Sequence, residues 1–573
     1  MNARYIALTM GPVFATLQNA RSTKAIWAAS YMFSWIMQEI LAELVKVPGV
    51  QLLNLAYNAK LTAGKKGVGL FPDRFVARVE HNTSIDLKNI VRTILDRLAA
   101  EMAKDFKDVK RRAQTDLNTQ SIQPDKATVF KFLSDYLRLQ AIDFELPESD
   151  SNPVKTADDY LNSLELQVSF VPEQPFDLWG LYFEELLYNW FIRREFDPPG
   201  FMSTPEIATR TFRAINEKEY DKAAAELRDW DSDDSDRARK KQEDFIGTVK
   251  KIADTRFKLC HRYMAIVHAD GDNMGYLFRY MAEKDHAASG KQNLAQTLAD
   301  HVSAFSLAAV QLIKQFGGVP VYAGGDDLLF FSPASVEDPE GHRRDIFQLL
   351  EDLDRCFSKE VLNKTPLDAT ILEELKIQGK APSLSFGVSV SHHKFPLGES
   401  LRIAQEEMLF NAIKSDGHRN GVSWRITKHS GAGFGCVVDK TPGRPVVEAF
   451  KVLADAKFPK GEKPDQFLSS VIFKLEDLEG LFRATAVKPG YRDFFYQILF
   501  NNFNETIHRD PENRQLLSPY LQKVHALLTA CFDEQTVSEA LPREKAERLV
   551  KANLDKAYAL LRYLHFLDTS DKS

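Results

Sequence analysis

The sequence predicts a protein of the α+β class with several domains, and three observations support this prediction. The chain has 573 residues, which at about 100–200 residues per domain gives three or four domains. Of these residues 44% are hydrophobic and 27% are charged, a composition typical of globular proteins. Apolar patterns with the period of strands alternate with helical patterns in two separate regions. The expected domains are 1–160, 161–255, 256–435 and 436–573.

The first region, 1–160, begins with a strand pattern at 4–10, a turn at Gly11-Pro12 and a helix expected from Phe14 to Val45. The other elements expected in this region are strands at Gln51–Tyr57, Arg74–Val79 and Leu139–Phe144 and a helix within 85–115. Strands that alternate with helices in this way predict an α/β unit.

The regions 161–255 and 436–573 are predicted to be mainly helical. An aromatic run at 176–196 has helical periodicity, and the acidic stretch Asp229–Asp236 is expected to be an exposed linker. We therefore expect a helical connector in the middle of the chain and a helical bundle at its C-terminal end.

The region 256–435 combines strand patterns with amphipathic helices. The elements expected there are a strand at Tyr263–Ala269, a helix from Leu294 to Phe316, strands at 319–323 and 328–332, a half-buried strand at Ser383–Ser391 and a helix from Glu399 to Ile413. Gly317-Gly318 suits a left-handed cap of the long helix. The two short strands are separated by Gly324-Gly325-Asp326-Asp327, which predicts a β-hairpin with a glycine-rich tip.

Acidic residues follow two of these predicted strands. Asp270-Gly271-Asp272 comes directly after the strand 263–269, and Asp326 and Asp327 lie at the hairpin tip. If the strands are neighbours in one sheet, these carboxylates converge at one edge, where they need a divalent cation between them. Oxygen ligands select magnesium or manganese, and two such ions, about 3.5–4 Å apart, suit a phosphoryl displacement. Asp-Gly and Gly-Asp pairs are also ordinary turn residues, so each motif alone leaves a purely structural role open.

Two further features could serve a phosphorylated ligand. Gly324 and Gly325 would let a triphosphate approach the hairpin backbone closely. Lys414 follows an otherwise apolar helix face and could neutralise phosphate charge. The alternative for Lys414 is a solvated lysine near a helix C-terminus.

Charge and cysteine content exclude several classes of protein. The net charge of −6 gives no overall basic field, so any RNA contact requires a local patch or partner subunits. The four cysteines are far apart and form no CxxC pair, which indicates reduced thiols of a cytoplasmic protein without zinc. The longest apolar stretch, 26–45, contains Gln38, Glu39 and Glu43, so no membrane contact is expected.

Taken together, the motifs resemble a known family. Asp270–Gly275 (DGDNMG), Gly324–Asp327 (GGDD) and the helix that ends at Lys414 before Arg419-Asn420 resemble the palm-type cyclase domain related to GGDEF diguanylate cyclases. More closely, the sequence resembles the large polymerase/cyclase subunit of type III CRISPR effector complexes. The motifs that narrow this resemblance to the III-B or Cmr type are Gly11–Val13, Ala20–Lys24, Trp27–Ser30 with Ser34, Leu70–Phe75, and Ser385–Gly387 with His392, Pro396 and Leu397.

The resemblance covers residues 4 to about 425 and implies an α+β fold of two ferredoxin-like palm domains, a helical connector and a C-terminal helical bundle. The second palm would be catalytic, and the first would complete the nucleotide site. The implied function is a target-RNA-activated nucleotidyltransferase that converts ATP into cyclic oligoadenylate for antiviral defence. The implied partners are crRNA, target RNA, backbone subunits, the subunit that binds the crRNA 5′ end, and small subunits.

The resemblance also assigns roles by position. Two magnesium or manganese ions would be held by Asp270, Gly271, Asp326 and Asp327, and the catalytic residues would be Asp326, Asp327 and Asp270. Asp327 would lie beside the attacking 3′-hydroxyl group. The residues expected to contact nucleotide are Gly324, Gly325, Asp272, Asn273, Lys414, Arg419, Ser385 and Ser30.

The sequence departs from the family pattern in three ways. No His-Asp dipeptide occurs among the 13 histidines, so the HD nuclease found in many members is not expected. The cysteine zinc site of the family is missing, and the spacing around Lys414 and Arg419 differs slightly from that of diguanylate cyclases. Two alternatives to cyclic oligoadenylate synthesis stay open. One is adenylyl transfer from ATP to S-adenosylmethionine, and the other is a catalytically silent nucleotide-binding scaffold.

Overall fold

The computed structural model describes most of the chain. The described residues are 2–55, 57, 67–113, 125–147, 152–166, 187–196, 201–228, 236–287, 294–337, 342–364, 369–415, 419–441, 443–456, 464–502, 511–534 and 541–571. Residues 176–186 of the predicted aromatic run and residues 229–235 of the predicted acidic stretch fall outside these ranges.

Four antiparallel strands form the first sheet, in the order β2-β3-β1-β4. The strands are β1 (Asn2–Gly11), β2 (Val50–Leu52), β3 (Arg74–Val79) and β4 (Arg138–Pro147). The helices of this region are α1 (Val13–Gln18), α2 (Thr23–Leu44), α3 (Leu87–Ala113), α4 (Lys126–Tyr136) and α5 (Pro153–Glu165). Each strand that the sequence predicts here is present, because each contributes apolar residues to the core.

Two predictions in this region were wrong in extent. The helix expected from Phe14 to Val45 is two helices, because Ser22 caps a new one by accepting a hydrogen bond from the Ala25 backbone at 3.1 Å. The strand expected to reach Tyr57 ends at Leu52. Beyond it, the side chain of Asn54 accepts the hydrogen bond of the Val76 backbone amide at 2.8 Å. A side chain thus replaces the backbone ladder where β2 stops.

The connector region is helical in its described parts, as predicted. Its helices are α6 (Asn189–Glu195), α7 (Thr204–Ala208), α8 (Glu217–Arg228) and α9 (Asp236–Ala253). Short 3₁₀ turns at 254–256 and 259–262 lead into the second sheet.

Six strands form the second sheet, in the order β12-β11-β10-β5-β7-β6. They are β5 (Tyr263–Asp272), β6 (Val319–Gly324), β7 (Asp327–Pro333), β10 (Ser383–His392), β11 (Gly421–Thr427) and β12 (Gly433–Asp439), and a separate small pair is β8 (Ser335–Glu337) with β9 (Arg343–Asp345). The helices are α10 (Met274–Ala287), α11 (Leu294–Gln315), α12 (Ile346–Phe357), α13 (Ala369–Ile377), α14 (Leu397–Arg402) and a π-helix at Ile403–Ser415. The predicted hairpin of β6 and β7 is confirmed.

Strand β5 extends further than the sequence predicts. Asp270, Gly271 and Asp272 belong to the strand, whereas the prediction placed them directly after it. The reason is that β10 pairs with β5 along its whole length, from His392 opposite Tyr263 to Ser383 opposite Asp272. The acidic motif is therefore held by backbone hydrogen bonds of a central strand.

Strand β10 is buried on both faces, although its alternating pattern predicted a half-buried strand. The hydroxyl groups of Ser389 and Ser391 each lie 2.9 Å from that of Ser400 in α14, so these serines are satisfied inside the core. Small polar residues that hydrogen-bond to one another inside the core give the same alternating sequence pattern as residues that face solvent. The π-helix packs so close that a methyl group on Gly387 would lie 2.1 Å from the Ala404 carbonyl oxygen.

We expect the substitution Gly387→Ala to destabilise the protein by about 3 kcal/mol, because the added methyl group meets rigid backbone. Urea unfolding followed by circular dichroism would measure the change. Gly247→Ala in α9 is the matched control, since nothing lies within 4 Å of its added methyl group. A helical Gly→Ala change without a clash should be neutral or stabilising by up to about 1 kcal/mol. Equal stability of the two variants would contradict the close packing of β10.

The C-terminal region forms a group of helices. They are α15 (Pro445–Ala454), α16 (Pro464–Asp477), α17 (Glu479–Ala486), α18 (Tyr491–Asn502), α19 (Pro511–Glu534) and α20 (Arg543–Asp568). None of the helices within the described ranges combines the length and the apolar character that a membrane span requires.

The two faces of the second sheet bury different partners. Met264 and Ile266 of β5 belong to a core that also holds α2 and the first sheet. Ala265 and Val267, on the opposite face, belong to a core shared with α11 and the C-terminal helices. Because side chains alternate along a strand, β5 contributes to both cores and is fixed between them.

Candidate active site

The acidic residues of two strands meet at one end of the second sheet. Strands β5 and β7 are antiparallel neighbours, with Ala269 opposite Leu328. Asp270, the next residue of β5, therefore lies beside Asp327, the first residue of β7. Asp326 occupies the turn before β7, after Gly325 with its positive φ of 72°. The predicted convergence of Asp270 with the hairpin tip is confirmed.

Gly271 lets the turn approach the strand closely. A methyl group on Gly271 would lie 2.2 Å from Oδ2 of Asp326 and 2.6 Å from the Met274 side chain. Asp326 therefore lies directly against the backbone of the acidic motif. Only a residue without a Cβ atom allows this contact.

Burial and mutual repulsion determine the protonation of the three carboxyl groups. Burial raises the pKa of Asp326 to about 6, and the charge of Asp270 adds to this effect. Burial also raises the pKa of Asp327 well above its usual value, helped by Asp326 and Asp270. Burial acts to raise the pKa of Asp270 as well, but a hydrogen bond from Asp327 and the charge of Lys414 outweigh it and lower that pKa. Of this pair, Asp327 is therefore the carboxyl group that is harder to ionise and Asp270 the one that ionises more readily.

Lys414 contacts the acidic motif. Its Nζ atom is 2.5 Å from Asp270 Oδ2 and 2.7 Å from Asp272 Oδ1. The sequence predicted that Lys414 meets a triphosphate, but in the structure its ammonium group neutralises these two carboxylates. The π-helix delivers it there, because this helix packs against both β10 and β5.

Asp272 is a fully buried carboxylate with a complete set of partners. Besides Lys414, its Oδ2 atom accepts hydrogen bonds from Ser383 Oγ at 2.6 Å, Ser385 Oγ at 2.7 Å and the Asn420 backbone amide at 2.9 Å. A carboxylate satisfied in this way fixes its surroundings. Asp272 and Ser385, both expected to contact nucleotide, are thus placed as supports for the strand end.

The other predicted nucleotide contacts are spread around this centre. Arg419 Nε lies 3.7 Å from Asp272 Oδ1, and Arg419 also donates to the Lys414 carbonyl at 3.1 Å. Asn273 has a positive φ of 59° and donates to the Ala381 carbonyl at 3.0 Å. Ser30 is buried in α2, away from the cavity described next. Gly324 and Gly325 line that cavity.

A cavity of about 410 Å³ opens at the hairpin tip, between the first and second sheets; we call it the intersheet cavity. The second-sheet region contributes the tip Gly324–Asp327 and one face each of α10 and α11. The first-sheet region contributes the segment around Phe71 and the start of α5. The side chains that give this cavity its charge and hydrogen-bonding groups are Asn54, Arg74, Lys155, Asp158, Asp159, Arg279, Ser303, Ser306, Asp326 and Asp327.

The two regions are joined at the cavity by backbone hydrogen bonds. Gly69 accepts from the Ala323 amide at 2.8 Å and donates to the Val321 carbonyl at 3.3 Å, as an added bridge beside β6. Ser306 in α11 donates to the Gly325 carbonyl at 2.7 Å and supports the turn from below. The hairpin tip is thus held from both sides.

The acidic residues fit a hard divalent cation by their chemistry. Within the described part of the chain, no three acidic, histidine or cysteine side chains converge as a preformed metal cluster. The reason is visible at Asp270, which faces Lys414 and shares a hydrogen bond with Asp327. Two ionised carboxyl groups in contact repel each other, and a divalent cation between them removes that repulsion. Magnesium or manganese fits these oxygens.

Sequence reasoning missed Arg279, Asp158 and Asn54, which line the cavity from three different elements. No motif surrounds these residues, and α5, which contains Asp158, precedes the acidic motif in the chain by no fixed spacing. Only the packing of the first sheet against the second brings them to the hairpin tip. The helical face of α10, with Gly275 and Phe278 beside Arg279, is a partial signal, since this helix directly follows the acidic motif.

Comparisons with known proteins agree with this architecture. Residues 263–423 match the second palm domain of Cas10/Cmr2, and residues 5–113 match the N-terminal domain of the CRISPR-associated protein Cmr2. A search of curated proteins gives no match to the sequence.

Two solved structures share the fold. The type III-B Cmr-beta complex in its apo state contains a chain with 11% identity and a TM-score of 0.55, and the match covers 87% of this chain and 77% of that one. The Cmr-beta complex bound to cognate target RNA gives 10% identity and a TM-score of 0.53, and covers 92% and 83%. The two matched domains lead to one conclusion: the chain belongs to the Cas10/Cmr2 family of large subunits of type III CRISPR systems.

Proposed function

We propose that the protein is the nucleotidyltransferase subunit of a type III effector complex, which converts ATP into a cyclic oligoadenylate messenger. The observation that carries this proposal is the meeting of Asp270 with Asp326 and Asp327, the last two of which line a cavity between the two sheets. A cavity of about 410 Å³ has the size of sites that take small ligands, such as a nucleotide.

Asp270, Asp326 and Asp327, with the Gly271 carbonyl, would hold magnesium or manganese. When bound, these ions supply charge neutralisation for attack of a 3′-hydroxyl on an α-phosphate with release of pyrophosphate. Asp327 lies at the cavity wall and accepts a hydrogen bond from that hydroxyl once it has released its own proton. Its raised pKa suits this role, because a more basic carboxylate takes a proton more readily.

Lys414 and Asp272 support the site indirectly, through their contacts with other residues. Lys414 keeps Asp270 ionised, and Asp272 keeps Lys414 in place. The walls from α10, α11 and the Phe71 segment exclude water around the base and sugar of the nucleotide. Positioning and electrostatics are the main contributions expected of such a site.

The proposal includes the setting in which the subunit works. One of the solved relatives belongs to a Cmr-beta complex bound to cognate target RNA. By analogy, this chain would assemble with crRNA, backbone, 5′-end-binding and small subunits, and target RNA would activate it. The net charge of −6 agrees with RNA contacts made largely through these partners.

The test is synthesis by the assembled complex. Complex with cognate target RNA, ATP and magnesium should yield a cyclic oligoadenylate in mass spectrometry, and Asp326→Asn with Asp327→Asn should abolish it. Burial raises the pKa of both residues, so neutral amides remove a desolvation cost and the fold should persist.

Asp135→Asn, at an exposed ion pair with Lys131, is the matched control and should retain full synthesis. Reactions that also contain S-adenosylmethionine would reveal adenylyl transfer to that molecule. Synthesis that persists in the double variant would disprove the site, and assembled wild-type complex without any nucleotide product would disprove the function.

A further inference from the structure

The intersheet cavity contains a half-buried cation, Arg279, with a buried nitrogen that makes no hydrogen bond within the described protein. Three basic residues line it. Arg74 is bound to Glu165 at 2.6 Å and to Asn162 at 2.9 Å, and Lys155 is exposed at the rim. Arg279 is half-buried in the wall, and its buried Nε atom makes no hydrogen bond to any described residue.

Arg279 is directed into the cavity by the geometry of α10. Gly275, Phe278, Arg279 and Ala282 share one face of this helix, and all four line the cavity. The first turn of the same helix follows Asp272 of the acidic motif. Arg279 therefore lines the same cavity as Asp326 and Asp327, the hairpin-tip members of the acidic centre.

Asp158 faces Arg279 from the first-sheet region. The two residues attract each other through charge, and both line the cavity, but no ion pair joins them. A guanidinium nitrogen that is buried without a hydrogen-bond partner, as Nε of Arg279 is, is unfavourable. A ligand that brings an anionic oxygen to Arg279 would remove this cost and gain a charge-assisted hydrogen bond.

We propose that Arg279 binds the phosphate groups of a nucleoside triphosphate in the intersheet cavity. The inference rests on the proposed function, which places a nucleotide there, and it assigns the phosphate contact to a residue outside the motifs that carry the family resemblance. The planar fork of a guanidinium group matches the geometry of phosphate oxygens. Lys414, which the family resemblance assigned to the triphosphate, is held by Asp270 and Asp272.

The opposite wall gives the proposal a second consequence. Asp158 carries the same sign of charge as a phosphate group and lies near the same guanidinium. It therefore competes with the ligand for Arg279. Removing the charge of Arg279 should weaken phosphate binding, and removing the charge of Asp158 should strengthen it.

Isothermal titration of the full chain in magnesium with α,β-methylene-ATP and, separately, with adenosine tests both consequences. Arg279→Gln should weaken the binding of the triphosphate about tenfold or more, because a hydrogen bond to a charged group is lost. Adenosine, which has no phosphate, should bind the variant as it binds the wild type. Arg279→Lys should recover part of the loss, and Asp158→Asn should tighten triphosphate binding.

The outcomes separate this inference from the proposed function. Wild-type affinity of Arg279→Gln for the triphosphate would overturn the assignment of Arg279 and leave the nucleotide site standing. Equal loss for the triphosphate and for adenosine would also overturn it, because a structural role affects both ligands. Wild-type protein that binds neither ligand would overturn the nucleotide site itself, and with it the inference.

Discussion

The substitution Gly271→Ala should reduce nucleotide synthesis on the order of 100-fold. The added methyl group would lie 2.2 Å from Oδ2 and 2.8 Å from Cβ of Asp326, so that side chain must leave its place against β5. It would also lie 2.6 Å from Cγ of Met274, and because these Cβ and Cγ atoms are not the mobile ends of their side chains, we expect some loss of stability as well. A displacement of about 1 Å in a catalytic group reduces turnover on the order of 100-fold.

Product formation by the target-activated complex and the unfolding temperature of the subunit would be measured together. Gly480→Ala is the control, because nothing lies within 4 Å of a methyl group at that position in α17. It should retain both activity and stability. Undiminished synthesis by Gly271→Ala would mean that the close contact of Asp326 with the strand is unimportant for the reaction.

The acidic centre could be predicted from the sequence because it depends on local rules. Strand β5 is a continuous apolar run, and the β6–β7 hairpin is marked by its glycines, so both strands were recognisable. Residues at strand ends point to one edge when the strands pair. The convergence of Asp270 with Asp326 and Asp327 therefore required only that β5 and β7 be neighbours, as they are.

The remainder of the site depends on packing between distant segments. The direction of Lys414 is set by the π-helix, and sequence periodicity does not distinguish a π-helix from an α-helix. Arg279 and Asp158 are 121 positions apart by their residue numbers and meet only because the first sheet packs on the second. The buried serines of β10 resemble a solvent-facing pattern, because their partner Ser400 lies in another element.

The largest effect on stability is expected for Lys414→Met. This change leaves the fully buried Asp272 and its neighbour Asp270 without their shared cation. Removing one partner of a buried ion pair costs about 3–5 kcal/mol. Urea unfolding at neutral pH would measure the loss. Lys451→Met breaks an exposed pair with Glu351 and should change stability by less than about 1 kcal/mol.

The pH dependence distinguishes loss of the cation from loss of packing. Burial acts to raise the pKa of Asp270. The hydrogen bond from Asp327 and the charge of Lys414 outweigh burial and hold this pKa below its usual value. A depressed carboxyl pKa contributes stability that is present at neutral pH and is lost as pH falls through that pKa. Lys414→Met lacks this contribution from the start, so its deficit against the wild type should be largest near pH 7 and shrink on acidification. Asp272→Asn added to Lys414→Met should recover part of the deficit, since it removes the uncompensated charge. A deficit that is equal at neutral and acidic pH would show that Lys414 supports the strand end by its packing alone.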